Sequence, residues 1–292
     1  MEQLVYLNGS IIPRSNVKIS PFDQGFLYGY GLFETMRSYS GRIFLLDKHL
    51  NRLRRSASMI ALSLDDFDLE RACYDTLKAN QLDNARIRLT ISAGENDSTP
   101  DAPAKTTPTV VVIAARYDPP SQEIYRTGYS AVVSQIRQYS QSPLSQLKSA
   151  NYLSYLLARR EARAKGADEA LLLNERGFIC EGSASNIFLV SGIKLFTPDA
   201  ASGCLPGITR QVIIELASEL NITVDQQSVP ADVLFEADEV FITNSILELM
   251  PLREVDGKTI GVRDERRQGI RLVDKLTLAY KALVARETGI TS

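Results

Sequence analysis

Lys148 stands where little compensates its charge. It lies in Gln146-Leu147-Lys148-Ser149-Ala150-Asn151-Tyr152-Leu153, and no acidic residue occurs within twelve positions on either side. A lysine on a helix surface usually finds an acidic partner three or four residues away. One set among small, polar and apolar residues is a candidate for desolvation, which lowers an amine's pKa and makes it a nucleophile toward a carbonyl. Taken alone, the ordinary reading is a solvated surface charge.

Three further segments change that reading. Glu181-Gly182-Ser183-Ala184-Ser185-Asn186 puts a carboxylate at a strand end among small residues, where it can point into a cleft; by itself this is also how a plain turn looks. Leu205-Pro206-Gly207-Ile208-Thr209-Arg210 opens a helix, whose first N–H groups and positive dipole end favour a bound phosphate, with Thr209 adding a hydroxyl. Every helix has such a start. Thr243-Asn244-Ser245 follows a strand, at the carboxyl end where ligands of α/β sheets usually sit. Arg52 is a candidate fixed cation for the phosphate, although Lys48, Arg54 and Arg55 crowd the same helix. Together these groups ask for an aldehyde at Lys148, a basic ring nitrogen at Glu181, and a phosphate at Arg52, Ile208-Thr209 and Ser245. Pyridoxal 5′-phosphate carries all three. In that chemistry the cofactor is the electron sink, and the protein keeps its ring nitrogen protonated with a facing carboxylate.

The elements that must position these groups read as α/β. Leu4 to Leu7, Leu32 to Tyr39 and Ile43 to Leu45 look like strands around turns at Asn8-Gly9 and Ser40-Gly41. Leu46, Leu50, Leu53, Ala57 and Ile60 recur at helical spacing over Asp47 to Ala61. Arg86 to Ile91 alternates as a half-buried strand does, Gly94 to Pro108 reads as an exposed loop, and Val110 to Ala115 as a buried strand. Arg116-Tyr117-Asp118-Pro119-Pro120-Ser121 is the linker candidate. Beyond it, helices are expected over Ser145 to Lys165 (ending at Gly166), Ile208 to Leu220 and Gly269 to Arg286. Strands are expected over Glu169 to Leu173, Phe178 to Glu181, Asn186 to Val190 and Glu239 to Thr243. This gives an α+β small domain over 1–117, a linker over 118–124, and a larger α/β domain over 125–292.

Composition narrows the function classes. Apolar residues make up 44% and charged residues 23%, and 33 basic against 35 acidic residues leave a net charge of −2. Neither nucleic acid nor a membrane surface is an expected partner. The longest apolar run, Val110 to Ala115, is too short to span a bilayer, and Met1 to Tyr6 does not look like a secretory signal. Cys73, Cys180 and Cys204 are widely spaced, which suits a reducing cytoplasm and argues against a disulfide framework or zinc site. His49 is the only histidine, so a multi-histidine metal site is excluded and no metal is expected. No dinucleotide-binding or P-loop glycine pattern is present.

The ordered set of motifs resembles the fold-type IV, or class IV, aminotransferase family of pyridoxal-phosphate enzymes. The marks are Val5 to Gly9, Tyr28 to Arg37, His49 to Leu53, Lys148 to Leu153, Glu181 to Phe188, Leu205 to Arg210 and Ala237 to Phe241, and they cover nearly the whole chain. The resemblance implies a Schiff-base role for Lys148, which also moves the proton between Cα and C4′. It implies that Glu181 partners the pyridine nitrogen. Arg52, Thr209 with the Ile208 amide, and Ser245 would form the phosphate cup. Leu205 would lie against the ring and Tyr152 reach the phenolic oxygen, with Asn186 and Asn244 also among the cofactor contacts. Substrate contacts would come from Tyr28, Phe33, Thr35, Arg37 and Arg88, and from the loop amides near Ile246 and Leu247. It also implies a homodimer with shared active sites, residues near Tyr28 often being supplied by the other subunit.

Two departures bear on the substrate. Phe33-Glu34-Thr35 stands where branched-chain enzymes of the family carry Phe-Glu-Gly, and Thr243-Asn244-Ser245-Ile246-Leu247 where they carry Thr-Gly-Thr-Ala-Ala. Both look more like the D-amino acid, amine and aminodeoxychorismate branches, and Tyr30 also replaces a common Asp. The expected activity is therefore an aminotransferase moving an amino group between an amino acid or primary amine and a 2-oxo acid. A 4-amino-4-deoxychorismate lyase releasing pyruvate is the alternative.

Overall fold

The computed structural model describes residues 2–95, 107–261 and 271–289. They fall into two units. The first holds the described residues of Met1–Asp118, Leu147–Asn151 and Val284–Ser292; the second those of Pro119–Gln146 and Tyr152–Leu283. The structure thus differs from a contiguous domain over 125–292, because the five residues around Lys148 and the end of the last helix belong to the first unit. Part of the loop expected over Gly94 to Pro108, and Gly269 and Ile270 of the last helix, lie outside the described residues.

The first unit is one sheet covered by helices. Its strands are β1 (Leu4–Leu7), β2 (Ser10–Pro13), β3 (Gly31–Tyr39), β4 (Arg42–Ile43), β5 (Ala85–Ser92) and β6 (Thr109–Arg116), in the order β2-β1-β6-β5-β3-β4. Two tight hairpins fit their sequences: Asn8-Gly9 and Ser40-Gly41 all take positive φ, which glycine tolerates and asparagine visits readily. The strand expected at Ile43 to Leu45 is shorter, because Leu45 turns left-handed (φ 51°) and caps the next helix. The helices are α1 (Gln24–Tyr28), α2 (Leu46–Met59) and α3 (Leu69–Ala79). Period-two alternation sends Leu32, Met36, Ile87, Leu89, Ile91, Val110 and Val112 into one core with Leu50, Leu53, Leu69 and Cys73 from α2 and α3.

The second unit is a mixed sheet. Its strands are β7 (Tyr129–Gln138), β8 (Glu169–Asn174), β9 (Phe178–Gly182), β10 (Asn186–Ser191), β11 (Lys194–Pro198), β12 (Val224–Gln227), β13 (Val229–Pro230), β14 (Glu239–Asn244), β15 (Glu248–Val255) and β16 (Lys258–Thr259). They run β12-β11-β10-β14-β15-β7-β8-β9-β13, with β16 on β15. Its helices include α4 (Gln122–Thr127), α5 (Leu153–Ala164) and α6 (Ile208–Glu219); α7 (Leu272–Thr288) ends the described fold. Strand β8 is buried along its length. Ala170 and Leu172 pack with Ala158 and Ala162 of α5, and Leu171 and Leu173 join the core on the opposite face. No helix of the described residues is long and apolar enough to cross a membrane.

One correction matters for the site. The helix expected from Ser145 begins only at Leu153. The preceding residues form a short 3₁₀ turn at Pro143–Gln146 and then a non-helical segment through Lys148 that makes one β-bridge at Ser149. Tertiary pairing overrides the apolar spacing there: the Phe33 amide donates to the Lys148 carbonyl at 2.9 Å and the Ala150 amide to the Gly31 carbonyl at 2.8 Å. The C-terminal end agrees with expectation, Gly166 following the helix with φ 74°.

Candidate active site

Lys148 is half-buried, its backbone stitched to the edge of β3 through Leu32 opposite Ser149. Gly31 is required at this join, since a Cβ there would lie 2.7 Å from the Ile91 carbonyl oxygen. The Lys148 Nζ sits 4.7 Å from the centroid of the Phe33 ring, and the Arg88 guanidinium carbon 3.9 Å from the same centroid. Antiparallel register explains the company. Phe33 pairs with Thr90, Thr35 with Arg88 and Arg37 with Arg86, so these six side chains share the sheet face opposite α2 and α3. Arg88 Nε donates to Thr90 Oγ1 at 3.2 Å, and Arg37 lies 4.4 Å from the Tyr39 ring centroid and 4.9 Å from that of Tyr117. Tyr28, at the end of α1, is 56% exposed.

On the helix side of β3, Glu34 is fully buried and takes a bidentate grip from Arg52: Nε to Oε1 at 2.7 Å and Nη2 to Oε2 at 2.6 Å. His49, one turn earlier on α2, meets Oε2 through Nδ1 at 2.7 Å. Burial alone would push the Glu34 carboxyl up; the Arg52 charge and then His49 outweigh it and hold the pKa down at about 2. His49 is shifted below its ordinary value, burial outweighing its carboxylate partner. Arg52, expected as a phosphate cation, is thus oriented by a carboxylate that the sequence reading left without a role.

In the second unit, Glu181 on β9 is 4% exposed. Tyr155 Oη donates to its Oε1 at 2.9 Å and the Leu205 amide to its Oε2 at 3.0 Å. The turn after it is fixed from below by Glu169, also buried, which accepts from the Ser183 amide (3.1 Å), the Ser183 hydroxyl and the Ser185 hydroxyl (2.9 Å). Tyr152, the residue before α5, donates from Oη to the Ser183 carbonyl at 2.7 Å and stacks on Tyr155, centroids 4.8 Å apart and planes at 21°. Asn186 Nδ2 donates to the Leu205 carbonyl at 2.9 Å.

The first turn of α6 starts from Gly207 with no side-chain cap, beside the buried Thr209. A Cβ on Gly207 would collide with Asn186 Oδ1. Arg210 turns away from this opening, donating to Thr197 Oγ1, the Pro198 carbonyl and Gln226 Oε1. Thr243 pairs across from Asn186, and its buried hydroxyl has no hydrogen-bond partner among the described residues. Asn244 closes the loop after β14. Its Nδ2 reaches the Ala184 carbonyl at 3.0 Å, and its Oδ1 accepts from the Ile246 and Leu247 amides at 2.9 and 2.7 Å. Those two amides, expected as substrate contacts, therefore have a protein acceptor, supplied by the short side chain of an Asx turn.

The first unit thus brings Lys148, Phe33, Thr35, Arg37 and Arg88 onto one region of sheet, with Arg52 on the other side of β3. The second gathers Glu181, Tyr152, Leu205, Asn186, the Ile208-Thr209 turn and Asn244. Sequence reasoning passed over Glu34, Glu169, Gln138 and Tyr155. The one available signal was Tyr155 three residues after Tyr152, the spacing at which helical side chains meet.

The family described as amino-transferase class IV matches residues 31–255. The chain is 38% identical over 259 residues to a protein of Methanocaldococcus jannaschii provisionally named branched-chain-amino-acid aminotransferase, covering 88% of this chain and 89% of that one. It is 35% identical over 262 residues to the aminodeoxychorismate lyase of Bacillus subtilis, covering 88% of each. Among solved structures it is similar to the branched-chain amino acid aminotransferase of Escherichia coli. There the TM-score is 0.90 and the identity 31%, over 99% of this chain and 96% of that one. A further branched-chain amino acid aminotransferase, solved with pyridoxamine 5′-phosphate, has a TM-score of 0.87 at 28% identity, over 98% of this chain and 95% of that one.

Proposed function

The chain belongs to the class IV aminotransferase family, and from that premise we propose that it binds pyridoxal 5′-phosphate and moves an amino group between an amino acid or primary amine and a 2-oxo acid. What carries the reading is Glu181, a buried carboxylate with Tyr155 donating to one oxygen and the Leu205 amide to the other, in the same unit as an α6 turn that no side chain caps. The residues fit the group. An anionic carboxylate suits a protonated ring nitrogen, and the absence of a Cβ at Gly207 leaves room for Asn186 beside a helix N-terminus that favours a phosphate. The orphaned Thr243 hydroxyl beside Asn186 adds a polar group in want of a partner.

When bound, the cofactor supplies an electron sink for the charge left at the substrate Cα. The protein does the rest. Lys148 Nζ would be the nucleophile toward the cofactor's aldehyde carbon and, as a free amine, the base for the substrate Cα proton. Glu181 would face the ring nitrogen and favour its protonated form. Arg52, the Ile208 and Thr209 amides and Ser245 would hold the phosphate, while Tyr152, Leu205, Asn186 and Asn244 would orient the ring. Arg88 and Arg37 recognise substrate carboxylate, a guanidinium giving two parallel donors to it. Tyr28, Phe33, Thr35, Ile246 and Leu247 shape the side-chain pocket.

The active assembly is a homodimer in which residues near Tyr28 complete the partner's site. Supporting it, Phe22, Phe26 and Leu27 beside Tyr28 are 65%, 73% and 49% exposed, an unusual apolar cluster to leave in water. Free buried thiols at Cys73, Cys180 and Cys204 are in keeping with a reducing cytoplasm.

A half-reaction screen tests the activity. L-branched-chain amino acids, D-alanine and (R)-phenylethylamine are added one at a time to the loaded protein, and conversion of the cofactor to its pyridoxamine form is followed spectroscopically. Conversion by one of these donors is expected. A second reading, 4-amino-4-deoxychorismate lyase, is supported by Thr35 in place of glycine and by the Bacillus relative. It wins if no donor converts the cofactor and aminodeoxychorismate yields pyruvate.

A further inference from the structure

Glu181 is reached by a chain of donors that begins at Gln138, the last residue of β7. Gln138 Nε2 donates to Tyr155 Oη at 2.6 Å, and Tyr155 Oη donates to Glu181 Oε1 at 2.9 Å. The direction of the chain is set by chemistry. Burial, and next the Glu181 carboxylate, push the Tyr155 phenol far above its ordinary pKa, so it keeps its proton. An ionised carboxylate can only accept, so that single proton goes to Glu181. The phenol oxygen is left to accept from the amide of Gln138. On the other carboxylate oxygen the Leu205 backbone amide donates, a bond made by main chain. Tyr155 is therefore an adjustable donor on Glu181.

We infer that Tyr155, backed by Gln138, is a positioning residue that sets the proton affinity of Glu181 and, through it, the share of the proton held by the cofactor's ring nitrogen. This rests on the reading of Glu181 as the ring-nitrogen partner. Donation to the ionised form stabilises the anion and weakens its hold on a proton, and each donor in a chain polarises the next. With Tyr155 in place, the proton shared between ring nitrogen and carboxylate stays on the nitrogen, which strengthens the electron sink. The ring of Tyr155 has a separate job, lying against Tyr152 with centroids 4.8 Å apart. Tyr155→Phe keeps that stack and deletes only the hydroxyl that links Gln138 to Glu181.

The test loads the full-length protein with pyridoxal 5′-phosphate labelled with ¹⁵N in the ring and reads the ring ¹⁵N resonance at neutral pH. Tyr155→Phe is expected to move the proton balance about tenfold from the nitrogen toward Glu181, the effect of one lost charge-assisted hydrogen bond. The resonance then moves toward its unprotonated position. Gln138→Ala moves it the same way by less, and kcat falls up to about tenfold with little change in KM. A Tyr155→Phe protein that melts earlier but keeps the native ring resonance, while Glu181→Gln shifts it, overturns the inference and leaves the Glu181 reading standing. If Glu181→Gln also leaves the resonance in place, the Glu181 reading fails and this inference with it.

Discussion

The Lys148 carbonyl accepts the Phe33 amide at 2.9 Å, so the proposed nucleophile is carried by a strand-like edge, not a helix. The pairing is made by backbone, and Lys148→Ala leaves it intact. Its expected cost in stability is below about 1 kcal/mol, as for most half-exposed substitutions. The absorbance band of bound cofactor that borohydride fixes to the native protein should vanish in the variant. A melting curve alongside the reduction experiment separates loss of the amine from loss of the fold, and a fixed band surviving in the variant sinks the assignment.

Glu34 and Arg52 give a pH prediction with a definite sign. The Glu34 carboxyl has an ordinary value of 4.5 and a folded value of about 2, so its contribution is complete above 4.5 and lost as pH falls toward 2. His49 is lowered from 6.5, so the unfolded chain takes up its proton first and stability also drops as pH falls below 6.5. Both act in one direction. Melting temperature should fall steadily on acidification from neutrality, and Glu34→Gln should flatten the part below 4.5. Glu34→Ala, which removes the carboxylate accepting two bonds from the buried Arg52, is expected to cost about 3–5 kcal/mol by denaturant titration.

Gly207 gives a steric prediction. Its φ of −70° suits any residue, so the obstacle to Gly207→Ala is Asn186 Oδ1, which the new Cβ would strike. Asn186 must swing away and give up its 2.9 Å bond to the Leu205 carbonyl. Overpacking of this kind costs about 1–3 kcal/mol. Pyridoxal 5′-phosphate affinity, followed by fluorescence titration, should weaken by about tenfold or more if the α6 turn holds the phosphate, the worth of one or two lost charge-assisted bonds. Unchanged affinity would place the phosphate elsewhere.

Arg88 lies over Phe33 and is oriented by Thr90. If it recognises substrate carboxylate, Arg88→Leu should raise KM for a 2-oxo acid by about 10- to 100-fold, the worth of a charge-assisted pair. An amine donor lacking a carboxylate should be handled as before. Steady-state KM values for the 2-oxo acid acceptor and for the amine donor give the comparison, and an equal loss for both would assign Arg88 to the architecture of the sheet.

The thiols should be inert. Burial pushes Cys73 and Cys204 up to about 12, and Cys180 higher still. Ellman's reagent is expected to titrate all three only after unfolding, and fast reaction of any one in the native state would contradict the burial.

How far the sequence reached depended on whether a feature was local. The hairpins at Asn8-Gly9 and Ser40-Gly41, the alternation of Arg86 to Ile91, and the Pro206-Gly207 helix start are written in neighbouring residues, and each was legible. The helix start at Leu153 was not. The apolar spacing through Leu147 continues a helical pattern, and only pairing with Gly31 and Phe33, more than a hundred residues earlier, holds that segment out of the helix. Glu34 was hidden for the same reason: its partners His49 and Arg52 lie on α2, across a strand-to-helix turn set by a left-handed Leu45. Tyr155 was visible as a residue, yet its acceptor is on β9 and its donor on β7.

The join at Lys148 also has a consequence for biosynthesis. Every strand of the first sheet has been made once Arg116 is synthesised, yet the edge at Gly31–Phe33 gains its covering backbone only when residue 150 follows. A nascent chain or proteolytic fragment ending between these points presents a bare β3 edge, open to pairing with other chains. The segment that brings the reactive amine is also the one that seals that edge against aggregation.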